Sequence, residues 1–163
     1  MTNQALDPPF HELLRGRHIA SLATANPNGT IHLTAVWYLF EDGCLYIATS
    51  SKSRKARNVA ARPLASLMVD ARTPGKERGV STSGRAELVS GDQSRAINQR
   101  VHSRYLSAAA LADPYVGPVL ASFDDVTLRI IPSSWFSWDM GALDAQALGG
   151  RLNATPGYVL PLD

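Results

Sequence analysis

Two tight-turn signals near the start of the chain constrain its fold more than any other feature. Asn26-Pro27-Asn28-Gly29 is typical of a hairpin turn, because asparagine and glycine readily adopt the backbone angles that such turns need. Glu41-Asp42-Gly43 predicts a second tight turn. The turns separate three segments with strand-like patterns, at 18–24, 30–40 and 44–49. We therefore expect three consecutive antiparallel strands at the start of the fold.

The rest of the chain adds more strands and a few short helices. Further strand patterns occupy 64–69, 78–89 and 126–131. Gly84 marks a bulge or a close approach inside a strand, and Pro132 is expected to end the last one. Strands and helices do not alternate regularly, which argues against a doubly wound parallel sheet. The pattern predicts a mainly β (α+β) fold of six strands, an antiparallel barrel with small helices plugging its ends.

The length of 163 residues predicts one domain spanning 1–163. Its core is expected to span 8–138. The remaining segment, 139–163, is rich in glycine, alanine and proline and has weak periodicity. We expect this segment to be an irregular tail that either wraps a neighbour or is loosely ordered.

Composition and charge exclude several classes of protein. Charged residues make up 18% of the chain and the net charge is only +2, which argues against a broad nucleic-acid surface. The single cysteine, Cys44, rules out an intrachain disulfide and is expected to be a small core residue. No apolar run is long enough to span a membrane. Residues 1–7 lack the basic and apolar regions of a signal peptide, so a cytoplasmic location is expected.

Positive charge is concentrated just after the third predicted strand. Four cations, Lys52, Arg54, Lys55 and Arg57, fall among the serines of the segment 49–58. Ser53 is a candidate N-cap for a short helix that Arg62-Pro63 would end, with Ala56, Val59 and Ala60 on its buried face. A helix start with unpaired N–H groups and neighbouring cations suits an anion such as a phosphate. The alternative is a solvated basic face of a helix.

The sequence contains no familiar catalytic or nucleotide-binding motif. A G-x-G-x-x-G segment after a strand and a G-x-x-x-x-G-K-[ST] segment are both absent. The four histidines show no spacing typical of metal ligands, so no metal site is predicted. No nucleophile and base stand at suggestive spacing, and catalytic residues stay unassigned. If the protein is an enzyme, a cofactor is expected to carry the chemistry.

These segments, taken in order, resemble the pyridoxamine 5'-phosphate oxidase-like family of flavoproteins. The resemblance rests on Ile19–Thr24 with Asn28-Gly29, Thr34–Tyr38, Leu45–Thr49, Ser53–Asn58 with Arg62-Pro63, Glu77–Val80 with Gly84–Glu87, and Ile130–Pro132 with Trp135. It implies the FMN-binding split β-barrel fold. It also implies a homodimer that binds its cofactor at the subunit interface, together with a small-molecule substrate.

The resemblance assigns roles to particular residues. Ser53, Arg54 and Lys55 would contact the cofactor phosphate, and Thr49 and Ser50 would stand near the ribityl chain. The flavin ring would be lined by Thr34, Val36 and Trp37, and Trp37, Tyr38 and Trp135 would help to form a cleft between the subunits. The implied cofactor-binding set also includes Lys52, Arg57, Arg78 and Trp135.

FMN is the expected cofactor, with the deazaflavin F420 as the alternative and haem less favoured. Lys52 and Arg57 would suit the longer anionic tail of F420. The basic residues of true pyridoxamine phosphate oxidases are missing at 33–39, and their C-terminal substrate motif is not recognisable in 139–163. Vitamin B6 oxidation is therefore not expected.

Two main functions follow from the resemblance. The first is an FMN- or F420-dependent oxidoreductase that transfers hydride between the cofactor and a small conjugated substrate. The second is a non-catalytic carrier or sensor that binds flavin, F420 or haem. Nucleic-acid binding through 52–57 is disfavoured, because aromatic residues are not interleaved with the cations.

Overall fold

The computed structural model of the protein describes residues 6–161. The segments 1–7 and 139–163 used above therefore extend beyond the described residues, at 1–5 and 162–163. Within 6–161 the elements are α1 (Pro8–Arg15), β1 (Ala20–Ala25), β2 (Ile31–Val36), β3 (Leu39–Glu41), β4 (Cys44–Thr49), α2 (Arg54–Ala61), β5 (Leu64–Ala71), β6 (Arg78–Val89), α3 (Gly91–Tyr105), α4 (Ala108–Ala112), α5 (Val116–Phe123), β7 (Val126–Asp139), α6 (Met140–Ala147) and α7 (Arg151–Ala154). None of these described helices is both long and apolar enough to cross a membrane.

The strands form one antiparallel sheet in the order β2-β1-β5-β6-β7-β4-β3. The sheet curls into a split barrel with β2 and β3 at its free edges. Both predicted tight turns form, and Asp42 and Gly43 take positive φ angles of 49° and 72° between β3 and β4. The predicted antiparallel split barrel with small flanking helices is confirmed, with seven strands in the described chain where six were predicted.

The core lies on the inner face of the curled sheet. Alternate residues of each strand point inward, and Leu22, Leu67 and Leu128 are fully buried there. Helix α1 closes the barrel by burying Phe10, Leu13 and Leu14 in the same core. Each large apolar side chain removed from water contributes about 1.5–3 kcal/mol to folding. The inward-facing apolar residues therefore fix which face of the sheet is inside.

The single strand predicted at 30–40 is wrong, because this segment forms two strands. β2 pairs with β1, whereas β3 pairs with β4, so the chain leaves one edge of the sheet and joins the other. The change of partner occurs at Trp37 and Tyr38. The side chain of Tyr38 is fully buried, and its hydroxyl donates to the carbonyl oxygen of Leu14 at 2.9 Å. This hydrogen bond ties the crossing point to the end of α1.

The predicted end of the last strand at Pro132 is also wrong, because β7 continues to Asp139. Pro132 lies opposite Gly84, where the register between β6 and β7 shifts. Proline cannot donate a hydrogen bond to a ladder, and it is tolerated at such an irregularity. A Cβ atom on Gly84 would overlap the carbonyl oxygen of Ile131, so the prediction of a close approach at Gly84 is confirmed.

The segment expected to be an irregular tail instead forms α6 and α7. The buried carboxylate of Asp144 accepts hydrogen bonds from the N–H groups of Leu152 and Asn153 and from the Asn153 side chain, at 2.9–3.0 Å. Burial opposes ionisation of this carboxyl, but the three N–H donors hold the pKa of Asp144 below its usual value. Asn153 also donates to the carbonyl oxygen of Gly75. Hydrogen bonds, rather than a buried apolar face, therefore hold this segment in place.

Gly84→Ala is expected to lower the free energy of unfolding by about 1–3 kcal/mol, because the new methyl group meets backbone that cannot move independently. Gly141→Ala is the matched control. Its Cβ would meet only Oδ1 of the Asp139 side chain, at 3.2 Å and not backbone, and we expect a change below about 1 kcal/mol. Urea unfolding of both variants measures the difference. Equal midpoints would show that the close approach at Gly84 does not constrain the fold.

Candidate functional site

The start of α2 is built around the hydroxyl group of Ser53. Its oxygen accepts a hydrogen bond from the N–H of Ala56 at 3.2 Å, which confirms the predicted N-cap. The same oxygen accepts from the hydroxyl of Thr49, at the end of β4, at 3.1 Å. Both lone pairs of the Ser53 oxygen are then used, and its own hydrogen is available to donate to a ligand.

The N–H groups around Ser53 divide into those with acceptors and those without. The acceptors are Asp125 Oδ1 for Ser51 N–H, Ser50 Oγ for Lys52 N–H and the Ser50 carbonyl for Ser53 N–H. Within residues 6–161, the N–H groups of Arg54 and Lys55 donate no hydrogen bond. They are the unpaired donors of the first helical turn, where the helix dipole is also positive. This short stretch of backbone can therefore hold an anion.

Helix α2 is fixed to the first hairpin by a buried polar side chain. Asn58 donates to Thr24 Oγ1 at 3.1 Å and to Asn26 Oδ1 at 3.0 Å. The predicted buried face of α2 is right for Ala56 and Val59 but wrong for Ala60, which is exposed, while Asn58 is buried. The packing of Ala56 and Val59 and the hydrogen bonds of Asn58 therefore fix the position of α2.

The four predicted cations surround this helix start but point in more than one direction. Lys52, Arg54 and Arg57 are exposed and Lys55 is half-buried. Within the described chain, none of the four forms an ion pair with a carboxylate. Arg54 and Arg57 line a groove beside the β1–β2 turn, with residues 26–28 and Thr30 opposite. Their charges are thus available to an anion.

The predicted ring-lining residues lie at the same end of the β3–β4 hairpin as this loop. Leu39 pairs with Tyr46, so Trp37 and Thr49 both lie beyond this pair, on the side away from the turn. Val36 ends β2 directly before Trp37, and Ser50 follows Thr49. Val36 and Trp37 line a surface pocket with Ile19 and Ala35, whereas Thr49 and Ser50 lead into the loop before α2, and Thr34 lies two residues before Val36 on the edge strand β2.

Sequence reasoning missed the residue that holds this end of the hairpin, Tyr105 at the end of α3. Its ring stacks on that of Trp37, with centroids 5.0 Å apart and an angle of 4° between the planes. Its hydroxyl donates to the carbonyl oxygen of His18 at 2.8 Å and accepts from the N–H of Tyr38 at 3.3 Å. The hydroxyl thus bonds backbone groups that have no strand partner at the point where the chain leaves β1. In the sequence, helical spacing from Ile97 and Val101 is the signal that places Tyr105 on the buried face of a helix.

Arg104, next to Tyr105, was also missed. Its guanidinium lies 5.3 Å from the ring centre of Tyr38 and donates to the carbonyl oxygens of Leu14 and Gly16. Burial raises the pKa of Tyr38 to about 12, although Arg104 acts in the opposite direction. Tyr38 therefore stays protonated at neutral pH, and as a fully buried side chain it lines no surface cleft.

Two of the predicted cofactor-binding residues do not join this cluster within one chain. Arg78 pairs with Asp139, at the opposite end of β7 from the Thr49–Val126 pair. Trp135 lies opposite the buried Thr82 and packs edge-on against Phe40 at 6.1 Å, on the inner face of the sheet. Within one chain, Arg78 and Trp135 therefore lie apart from the phosphate loop.

Comparisons with known proteins bear on the family and the fold of this chain. The sequence matches the family model of pyridoxamine 5'-phosphate oxidase over residues 6–139. No curated protein matches the sequence. A conserved hypothetical protein from Mycobacterium tuberculosis is similar in structure, with a TM-score of 0.71, 26% identity and coverage of 100% of this chain and 96% of that one.

Two further solved structures share the fold at lower identity. An F420 reductase is 24% identical, with a TM-score of 0.62 and coverage of 80% of this chain and 98% of that one. The heme storage protein HutZ from Vibrio cholerae is 18% identical, with a TM-score of 0.61 and coverage of 82% and 94%. At these identities the likeness establishes the shared fold alone.

Tyr105→Phe is expected to lower the free energy of unfolding by about 1–3 kcal/mol, because it removes the partner of backbone groups at His18 and Tyr38. Tyr115→Phe serves as the control, since Tyr115 is 80% exposed and a change there should stay within about 0.5 kcal/mol. Urea unfolding followed by tryptophan fluorescence reports both. Equal stabilities of the two variants would show that the hydroxyl of Tyr105 does not stabilise the crossing from β2 to β3.

Proposed function

Since this chain belongs to the pyridoxamine 5'-phosphate oxidase family, we propose that it is an FMN- or F420-dependent oxidoreductase acting on a small conjugated substrate. The observation that carries the proposal is the set of unpaired donors at the start of α2. The Arg54 and Lys55 N–H groups and the Ser53 hydroxyl stand beside cations that form no ion pair with a carboxylate of residues 6–161. A phosphate group, with its negative charge and several acceptor oxygens, matches such a donor set.

The residues present fit the phosphate of either cofactor. Ser53, Arg54 and Lys55 would hold it through backbone N–H, hydroxyl and side-chain charge. FMN is the first choice, because the compact donor set serves a single phosphate. Lys52 and Arg57 extend positive charge to the loop and to the groove beside the β1–β2 turn, where the longer anionic tail of F420 would benefit. The contribution of Lys52 and Arg57 to affinity therefore distinguishes the two cofactors. It should be large for F420 and small for FMN.

The remaining residues of the cluster would orient the cofactor and exclude water. Thr49 and Ser50 would lie beside the ribityl chain, and Thr34, Val36 and Trp37 beside the ring. The stacking of Trp37 on Tyr105 holds its indole in one orientation before any ligand binds, which lowers the entropic cost of binding. When bound, the flavin or deazaflavin supplies hydride transfer, and the protein contributes alignment and electrostatics.

We also propose that the protein is a homodimer with the cofactor at the subunit interface. Support comes from the outer face of the sheet, where thirteen neighbouring outward residues of five strands carry no charge: Ser21, Ala23, Ala25, Ile31, Leu33, Ala35, Leu64, Ser66, Met68, Ser81, Ser83, Ser134 and Phe136. Four of them are large and apolar, with 62–68% of each side chain exposed. The charged outward residues Asp70 and Arg85 border this patch at its two ends. A contiguous uncharged patch of this kind is typical of an interface. Arg78 would then reach the cofactor from the partner subunit.

A visible spectrum of the purified protein, followed by titration with FMN and F420, tests the proposed function. We expect one of the two to bind and to be reduced or reoxidised when a conjugated substrate is supplied. Binding without turnover against a panel of conjugated acceptors would favour a carrier or sensor. A haem spectrum, or failure to bind either flavin or deazaflavin, would overturn the proposal.

Arg54→Ala and Lys55→Ala should each weaken binding of the preferred cofactor by about tenfold, equivalent to roughly 1.4 kcal/mol, because each removes a charge that pairs with phosphate. Arg151→Ala removes the same charge from exposed α7 and should leave affinity unchanged. Fluorescence titration at fixed salt measures all three. If both loop variants bind as tightly as the control, the phosphate does not bind at the start of α2.

Leu33→Glu should convert the dimer to a monomer, because it places a charge within the uncharged patch of the outer face. Phe123→Glu is the matched control, since Phe123 on α5 and Leu33 are both 65% exposed and neither change disturbs the core. Light scattering at micromolar concentration gives the mass of each variant. A monomeric wild-type protein with cofactor bound would contradict the proposed dimer.

A further inference from the structure

Asp125 lies beside the loop 50–53, although the sequence gives it no role there. Thr49 at the end of β4 pairs with Val126 at the start of β7, so the residue before Val126 meets the residues after Thr49. The carboxylate of Asp125 accepts hydrogen bonds from both donors of Ser51. Its Oδ1 lies 2.6 Å from Ser51 N and its Oδ2 lies 2.6 Å from Ser51 Oγ.

The chain on either side of Asp125 is held in place by α3. The side chain of Asn98 donates to the carbonyl oxygen of Asp124 at 2.8 Å and to that of Val126 at 3.1 Å. The buried His102 lies with Nε2 2.8 Å from Asp124 Oδ2. Asn98 is itself buried. Although the carboxylate of Asp125 reaches the surface, its backbone is fixed, and it can hold the loop in one position.

A negative charge beside an anion site is unfavourable by itself. Hydrogen bonds from the Ser51 hydroxyl and N–H lower the pKa of Asp125, so the group is ionised at neutral pH. Lys52, one of the cations that would attract a phosphate, lies close enough to lower this pKa as well. The carboxylate of Asp125 therefore favours phosphate binding only if the free energy gained by fixing the loop exceeds the repulsion between the carboxylate and the phosphate.

We infer that Asp125 is a positioning residue, which holds the loop 50–53 so that the Arg54 and Lys55 N–H groups remain free for the cofactor phosphate. The inference rests on the proposed function. Asp125 occupies the N–H of Ser51, while Lys52 and Ser53 donate to Ser50. The phosphate is thereby directed to the helix start, since the amides of residues 51–53 are already paired.

Two substitutions separate positioning from simple repulsion. Asp125→Ala removes both the hydrogen bonds and the charge, whereas Asp125→Asn removes the charge, keeps an acceptor for Ser51 N–H and replaces the acceptor of the Ser51 hydroxyl by an NH2 group that can donate to Ser51 Oγ. We expect Asp125→Ala to weaken binding of the preferred cofactor, FMN or F420, by about fivefold or more, as the loop must be ordered on binding. Asp125→Asn should bind as tightly as the wild type or more tightly. Asp92→Asn, on an exposed side chain of α3, controls for the change in net charge.

The titrations are compared with amide hydrogen exchange of each protein without cofactor. Faster exchange of the paired amides of residues 51–53 in Asp125→Ala, with wild-type exchange in Asp125→Asn, supports the positioning role. Tighter binding by both variants, or unchanged exchange in Asp125→Ala, would overturn it. If Asp125→Ala does not fold, Ser51→Ala removes one of the two hydrogen bonds and should give a smaller effect in the same direction, while wild-type affinity in that variant would count against the inference. A wild-type protein that binds neither cofactor would instead overturn the proposed function, and the exchange data would still report on the loop.

Discussion

The rest of the structure depends on how backbone N–H and C=O groups are satisfied where the barrel splits. A strand that leaves its neighbour exposes unpaired polar groups, and burying them without partners costs free energy. Here the chain leaves β1 at Val36 and joins β4 at Leu39. The hydroxyl of Tyr105 supplies the missing partners at His18 and Tyr38. The split is therefore a hydrogen-bonded feature of the fold, and it leaves the start of α2 and Trp37 at the same end of one hairpin.

The pairing of backbone N–H groups also explains why the start of α2 suits an anion. Most donors of the loop that leads into the helix are paired, by Ser50 within the loop and by Asp125 from the start of β7. The Arg54 and Lys55 N–H groups are not. Because α3 fixes the chain around Asp125 and Asn58 fixes α2, this donor set exists before a ligand arrives. A site that needs little rearrangement loses less free energy on binding.

Local sequence signals predicted most of the fold and the centre of the site. Turn residues at Asn26–Gly29 and Glu41–Gly43, the N-cap at Ser53 and the alternation of 78–89 depend on neighbours in sequence, so they could be read directly. The change of strand partner at Trp37 could not, because it depends on Tyr105, a residue far away along the chain. The continuation of β7 past Pro132 depends on the irregularity opposite Gly84, and the order of the C-terminal helices depends on the buried Asp144. Asp125 was missed for the same reason, since only the register of β4 with β7 brings it to Ser51.

The central claim is that the backbone at the start of α2 binds the cofactor phosphate. Its most direct measurement is a titration of ¹⁵N-labelled protein with FMN and with F420, followed by the amide resonances of residues 50–56. With the cofactor that binds, the N–H resonances of Arg54 and Lys55 should move downfield, as expected for new hydrogen bonds to phosphate, while that of Ser51, already bonded to Asp125, should change little. Tight binding that leaves Arg54 and Lys55 unshifted, or that shifts Ser51 most, would contradict this assignment.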